Sequence, residues 1–462
     1  MRITLLGHAS VLVKMAGATC LMDPVFFDPF EEGAVVSCPE RVVFPDRIPP
    51  IDILIISHRH PDHFDLASLD RLSRDCDAIC PADPLIVYGL RGLGFKRIHP
   101  VEAMGEISST DFELYPTRSE AEVREFGMIF KDRSGVFFNQ VDTFLAPVTI
   151  DSVLTRFGKP DLMFAMYASQ NFEFFDSLSP VFPYDIHRQN LENVIRMAPQ
   201  MAAPGSAGFR FRGDHQWLNA FLFPISAERF VSDLRRLAPS IETCIARPGD
   251  VLEITGAAVR HLAGASNIAK MTQDDSRLID FNPAAPIPPL TDPNPDGYSS
   301  AELDEITGRF ITEMRNFVFG EQPTEDKVVG AYLENRVRDV TGLVFPDGSI
   351  RWRRFDFGAR TFDLSVEDRI SAPADIVHRI AASALAGWIE KRKSFFYVRA
   401  YSRRFSTLYR SERDGASIRL RPLALPDLLM HYLLNVAPGS ETAARRRIDL
   451  ELEALERSRR NR

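Results

Sequence analysis

The chain is short of cysteine, of long apolar runs and of positive charge, and each shortage removes a class of function. Five cysteines stand among 462 residues: Cys20, Cys38, Cys76, Cys80 and Cys244. Their number is odd, and their spacing is not that of a disulfide framework in a small secreted domain. Cys76 and Cys80 lie four apart; small buried hydrophobes near a helix end are expected there in preference to a metal pair. No apolar run approaches the ~20 residues that a membrane-spanning helix needs. The net charge of −8 gives no reason to expect nucleic acid as a partner. The opening Met-Arg-Ile-Thr-Leu-Leu-Gly-His reads as a β-strand rather than a leader. With the free thiols, this points to a reducing cytoplasm.

A hydrophobic fraction of 45% and a charged fraction of 26% are those of an ordinary globular protein, and the length suggests two or three domains. Over the first 265 residues, short strands alternate with turns and helices. Strands are expected at 2–6, 11–14, 19–22, 112–115, 128–131 and 136–139, with a hairpin turn at 132–135. Residues 51–56 form an almost continuous β-branched run, suited to a strand buried on both faces. Helices are expected at 66–75, with Asp65 as N-cap, within 182–197 and at 226–238; 244–252 reads as strand. Alternating strands and helices predict a layered α/β fold with a mixed sheet. Residues 281–297 contain six prolines and read as part of an extended boundary placed at 266–299. Beyond it a smaller α+β domain is expected over 300–440. Its helices are predicted at 301–319, 325–339 and 372–389, and its strands at 350–364 and 394–408. A charged helix is expected to close the chain at 441–462.

The segment that carries chemistry is Ser57-His58-Arg59-His60-Pro61-Asp62-His63-Phe64-Asp65, directly after the buried strand. Three imidazoles and a carboxylate within six residues cannot pack as core without polar partners. Imidazole nitrogen and carboxylate oxygen suit first-row metals such as Zn, Fe or Mn. Alternate spacing lets His58 and His60 reach one ion, while Asp62 and His63 face a second a few ångströms away.

His-x-His-x-Asp-His resembles the signature of the metallo-β-lactamase superfamily, as do the Gly7-His8-Ala9-Ser10 opening and the Met22-Asp23-Pro24 strand end. The resemblance implies an αββα sandwich over residues 1–265 with two metal ions at the sheet edge. It also implies further ligands. Asp142, in Val136-Phe137-Phe138-Asn139-Gln140-Val141-Asp142-Thr143, matches the aspartate that bridges the ions. His215 matches the late histidine, with His187 as a rival inside a helix. The histidine that the family places ahead of a strand is absent: no histidine lies between Tyr115 and Gly127. Glu120 or Glu122 takes its place, and carboxylate for imidazole favours iron or manganese over zinc. His8 is expected to support the site by hydrogen bonding, and with Asp62 it completes the candidate catalytic pair. His99, His261, His378 and His431 read as structural histidines, and Asp65 as either a helix cap or an orienter of a ligand.

Two branches of the superfamily compete. Most members are hydrolases of esters, amides or phosphodiesters; a minority are diiron oxygenases. Ala207-Gly208-Phe209-Arg210-Phe211 before His215, and the region from Arg369 to Trp388, are similar to the CMP-N-acetylneuraminate hydroxylases of the oxygenase branch. Those enzymes carry a Rieske cluster held by Cys-x-His pairs. This chain has no such pair, so the resemblance implies electrons from a separate ferredoxin or reductase. The expectation is a dinuclear enzyme with two ions, Fe rather than Zn or Mn, acting on a small molecule as an oxygenase. A metallo-hydrolase is the alternative, and a metal-containing binding protein the third reading. The basic, aromatic stretch from Lys391 to Arg410 reads as a strand pair with a cationic outer face.

Overall fold

The computed structural model describes residues 1–462 apart from 122, 168–170, 172–173, 176–177, 179, 257, 321–324, 366–373, 408, 415–416, 423–424, 438–439 and 461–462. The chain divides into two compact units. One contains Met1–Asn171, Val181–Ala285 and Glu451–Arg462; the other contains Phe172–Pro180 and Pro286–Leu450.

The first unit is built on two sheets. The amino-terminal residues alternate around apolar positions, and two tight turns fold them into a meander of Arg2–Gly7, Ser10–Met15 and Ala18–Met22. Ala18–Met22 pairs in parallel with Ile53–Ile55, which pairs in parallel with Asp77–Pro81. Ile98–Val101, Val251–Ile254 and Val259–Leu262 complete an eight-stranded sheet. The second sheet has seven strands, in the order Glu242–Thr243, Met201–Gly205, Leu162–Met166, Gly135–Asn139, Phe126–Asp132, Phe112–Arg118, Ile107–Ser108. Ile3, Val11, Val13, Cys20 and Ile55 from the first sheet meet Leu114, Met128, Phe130, Phe137 and Leu162 from the second in one buried core. The outer face of the second sheet packs Phe138, Met163 and Ile129 against Ile150 and Val153, Leu191 and Val194, and Phe230 and Leu234. Those pairs come from the helices Pro147–Phe157, Tyr184–Met197 and Ala227–Leu237. Leu66–Leu69 and Pro84–Gly92 accompany the first sheet. The result is an αββα sandwich of mixed sheets. Removing one large ring from such a core costs about 3–5 kcal/mol.

The unit runs past residue 265, because Ala269–Gln273 pairs antiparallel with Glu40–Val43. At the other end of the chain, Glu451–Arg460 also belongs to it: Leu452 lies against Gly92, and Arg459 pairs with Asp70. No described helix is long and apolar enough to cross a membrane.

The second unit is α+β, with a five-stranded sheet in the order Thr361–Ser365, Ile350–Asp356, Arg338–Val344, Ile376–Ala381, Arg403–Thr407. Its helices include Ser300–Phe319, Lys327–Glu334 and Ala382–Ile389. A capping box at Ser299 and Glu302 starts the longest of these.

Several expected elements differ in extent. The helix after Asp65 stops at Leu69 instead of reaching 75. Arg74 donates to the carbonyls of Leu69 (3.0 Å) and Asp70 (3.2 Å), satisfying them without further helix. Where a helix was expected over 372–389, Ile376–Ala381 is a strand parallel to Arg338–Val344, and only Ala382–Ile389 is helical. His378 faces inward there and bonds Asp339 at 3.1 Å, so a buried polar pair settles what apolar spacing left ambiguous. Residues 372 and 373 of that expectation lie outside the described set, as do 369–371. Within 394–408, Tyr397–Tyr401 is a wide helical turn with Tyr397 and Tyr401 rings 5.6 Å apart, and the strand begins only at Arg403. The strand expected at 350–364 is a hairpin of Ile350–Asp356 and Thr361–Ser365. The helix expected at 325–339 ends at Glu334, and the chain re-enters the sheet at Arg338.

Candidate metal centre

Ile53–Ile55 lies between two parallel neighbours, so its backbone bonds are fully used and its end is rigid. The chain then turns sharply: the amides of His63 and Phe64 both donate to the carbonyl of His60, at 3.0 and 2.8 Å. This turn folds the imidazoles and Asp62 back on themselves.

Asp23, at the end of Ala18–Met22, organises the loop. It has φ 47° and is fully buried. Its carboxylate accepts the Ser57 amide at 2.7 Å, the Ser57 hydroxyl at 2.6 Å and Nδ1–H of His63 at 2.9 Å. His63 is thereby fixed with a proton on Nδ1, which turns Nε2 toward Asp62 and Asp142. Because the Ser57 hydroxyl spends its proton on Asp23, it accepts from Nδ1 of His58 at 3.0 Å, which frees Nε2 of His58 in the same way. Nε2 of His58 then stands 2.9 Å from Nδ1 of His60. Nε2 of His63 stands 3.5 Å from Asp62 and 3.3 Å from Asp142.

Asp142 reaches this point from the second sheet. It follows Gly135–Asn139 in a turn where Val141 holds φ 55°, a strained value for a β-branched residue. The turn is clamped by Thr143 Oγ1 donating to the Gln140 carbonyl (2.7 Å) and by Gln140 Nε2 donating to the Thr143 carbonyl (2.8 Å). The donor atoms fall into three groups, each within 4.8 Å: His58, His60 and Asp62; His58, His63 and Asp142; His8, Asp62 and His63.

The electrostatics suit cations. Burial, and then the neighbouring His63 and His60, hold His58 well below the usual imidazole range, so it is a neutral lone-pair donor. Burial works against ionising Asp62, but His63 and His8 outweigh it and hold the carboxyl well below its usual range. Three imidazoles converging with the Asp62 and Asp142 carboxylates, donor atoms within 4.8 Å of one another in each group, are a donor set that fits metal ions.

Of the sequence candidates, His58, His60, Asp62, His63, Asp142 and His8 come together. Glu120 does not: it is exposed, with its amide bonded to the Phe144 carbonyl at 2.9 Å. Glu122 lies outside the described residues. His215 sits in the short helix Gly213–Leu218 and joins none of the three groups. His187 is buried in Tyr184–Met197 and bonds Asp233 at 3.0 Å. His99, His261 and His431 pair with Asp77, Asp250 and Asp326. No group among the described residues includes a cysteine; burial pushes the Cys80 thiol up to about 12. Asp65 caps the helix, accepting the Ser68 amide at 2.9 Å.

Sequence reasoning missed two residues. One is the role of Asp23. The other is Glu125, just ahead of Phe126–Asp132, whose first amide donates to the Ser57 carbonyl at 3.3 Å. Glu125 accepts from Ser119 Oγ at 2.5 Å. Burial, reinforced by the charge of Asp142, pushes its carboxyl up to about 7. A carboxylate at the mouth of a strand that touches the histidine loop was the available signal.

A beta-lactamase superfamily domain model matches residues 2–149, which include the whole His58–His63 loop and Asp142. Residues 2–149 thus carry a domain of the beta-lactamase superfamily. Curated relatives include a Mycolicibacterium smegmatis protein, 28% identical over 182 residues, 36% of this chain and 34% of its own length. A Mycobacterium tuberculosis H37Rv protein is 24% identical over 180 residues, again 36% and 34%. Both are provisionally described as Rieske 2Fe-2S iron-sulfur proteins. The match thus spans about a third of these relatives' length. Similar solved structures include isothiocyanate hydrolase from Delia radicum gut bacteria (16% identity, 55% of this chain and 100% of that one, TM-score 0.40). They also include CmlA, a diiron β-hydroxylase from Streptomyces venezuelae (17% identity, 57% and 54%, TM-score 0.38).

Proposed function

We propose that this chain is a dinuclear iron oxygenase that takes electrons from a separate protein and acts on a small molecule. The observation that carries the reading is Glu125. It stands under the electrostatic influence of Asp142 and His63, in the part of the chain where the superfamily's hydrolases supply a histidine. With Glu125 added to Asp62 and Asp142, three carboxylates accompany three imidazoles, and hard oxygen donors favour iron or manganese over zinc. The descriptions of the mycobacterial relatives support an electron-transfer setting.

In this reading His58, His60, Asp142 and Glu125 hold one ion, and Asp62, His63 and Asp142 the other. Two ions held there supply Lewis-acid polarisation and, if iron, one-electron redox chemistry. The chain's own contribution is orientation. Asp23 and Ser57 set the tautomers of His63 and His58. The turn at Gln140–Thr143 presents Asp142, whose side chain remains 32% exposed while that of His63 is fully covered. The accessible side is therefore that of Asp142, where Phe144 is 38% exposed as an apolar contact for substrate.

The three-imidazole complement also serves zinc, which keeps a metal-dependent hydrolase of esters, amides or phosphodiesters as the second reading. Metal analysis with an optical spectrum of aerobically purified protein separates them. Two irons per chain with near-ultraviolet charge-transfer absorption is the expected result. Zinc, together with turnover of a generic ester or phosphodiester, would replace the oxygenase with the hydrolase.

A further inference from the structure

We infer that His8 is a positioning residue and not a metal ligand, locked by the backbone of Gly208 into the tautomer that donates to Asp62. This rests on the reading of the cluster as a two-ion centre. Distance alone would make His8 a ligand, since its Nε2 is 3.1 Å from Asp62 Oδ2 and 3.3 Å from Nε2 of His63. Its other nitrogen decides otherwise. The Gly208 amide donates to Nδ1 of His8 at 3.1 Å, and a nitrogen that accepts an N–H bond carries no proton. A neutral imidazole so held has its proton on Nε2, and of the two groups facing it Asp62 Oδ2, at 3.1 Å, is the nearer and the charged acceptor.

His58 and His63 show the opposite arrangement: each donates its Nδ1 proton, to Ser57 and Asp23, so that Nε2 is the nitrogen left to bind an ion. For His8 to bind an ion through Nε2, its ring would have to lose both protons or break the Gly208 bond.

The lock depends on glycine. A Cβ at position 208 would lie 2.8 Å from the His8 amide nitrogen and 2.9 Å from its Cα, so only a residue without a side chain brings the amide this close. Phe209, with its ring 5.4 Å from that of His8, and Phe30 at 6.5 Å cover the imidazole, which is 1% exposed. The bond to Asp62 is thus shielded from water. It fixes the Asp62 carboxylate, and the second ion would keep Asp62, His63 and Asp142 as its protein ligands. An ion held by three protein ligands would have room for an oxygen donor of the substrate or co-substrate, and Asp142 is the ligand that solvent reaches.

Two measurements test this. In the zinc-loaded full-length protein, nitrogen-15 NMR of labelled histidines should show His8 with a proton on Nε2 and none on Nδ1. An Nε2 without a proton would overturn the inference. Metal stoichiometry after dialysis should show two zinc ions per chain for wild type and for His8→Gln, whose amide can donate to Asp62 in the same way. In His8→Ala both sites should persist, with the weaker ion bound about 10–100-fold less tightly, the usual loss when an outer partner of a ligand is removed. A His8→Gln protein holding one ion beside a wild type holding two would make His8 a ligand and refute the inference alone. A wild type holding fewer than two ions would instead refute the two-ion reading, and this inference with it.

Discussion

Replacing Asp23 with asparagine removes one oxygen's charge and almost nothing of the shape. Asp23 is fully buried and accepts three hydrogen bonds, two of them on Oδ2, from the Ser57 hydroxyl and His63 Nδ1. An amide nitrogen in that place accepts neither. Each buried donor left without a partner costs about 1–3 kcal/mol, so with two such donors Asp23→Asn should lose roughly 2–6 kcal/mol of stability in the metal-free protein. It also releases His63 and His58 from their ligand tautomers, and loss of such an orienting carboxylate lowers metal affinity by about 10–100-fold, or ~1.4–2.7 kcal/mol. Chelator competition measures the affinity, and urea denaturation of the chelator-treated protein measures the stability. A variant that binds both ions within twofold of wild type, with an unchanged urea midpoint, would show that the Asp23–Ser57–His63 network does not organise the centre.

Further outcomes follow from other contacts. Glu125→His should move the centre toward zinc, and Glu125→Gln should lower iron content at constant protein; metal analysis of matched preparations reads both, and unchanged iron in Glu125→Gln would remove Glu125 from the site. Gly7→Ala should destabilise the first unit by about 2–4 kcal/mol, because φ is +128° and the new Cβ would meet Nε of buried Arg41 at 2.2 Å; thermal unfolding equal to wild type would contradict this. His378 is fully buried; burial lowers its pKa, but Asp339 and Asp427 outweigh that and hold it above the usual imidazole range. A histidine raised on folding contributes stability that is complete below its unfolded pKa and lost as pH rises through the folded value. Unfolding of the second unit should therefore ease from near neutral pH upward in wild type and lose that dependence in His378→Leu. A pH slope shared by both proteins would exclude His378 as its source.

How far the sequence carries this result depends on how local each feature is. The His58–His63 cluster was legible because all its donors lie within six residues after a strand whose β-branched run announces burial. Asp142 was legible from the apolar strand before it, although the strained Val141 and the Gln140 clamp that present it were not. Glu125 was not singled out because its neighbours Glu120 and Glu122 offer the same side chain, and the bond from the Phe126 amide to the Ser57 carbonyl, which joins its strand to the histidine loop, has no local signature. His215 was chosen for its place after Met201–Gly205, yet the chain there brings Gly208 to His8 instead. In the second unit, Ile376–Ala381 and Ala382–Ile389 read as one apolar stretch. The switch from strand to helix is set by Asp292, which accepts the Ser383 amide at 2.9 Å from 91 residues away, and no local pattern encodes that.

Metal content of wild type beside a His58→Ala, His60→Ala double variant tests the centre most directly. Both proteins are to be purified aerobically and compared for equal folding by circular dichroism. Wild type should hold two ions per chain, and the folded double variant no more than one. Equal metal in the two would mean that these imidazoles do not close around ions at all.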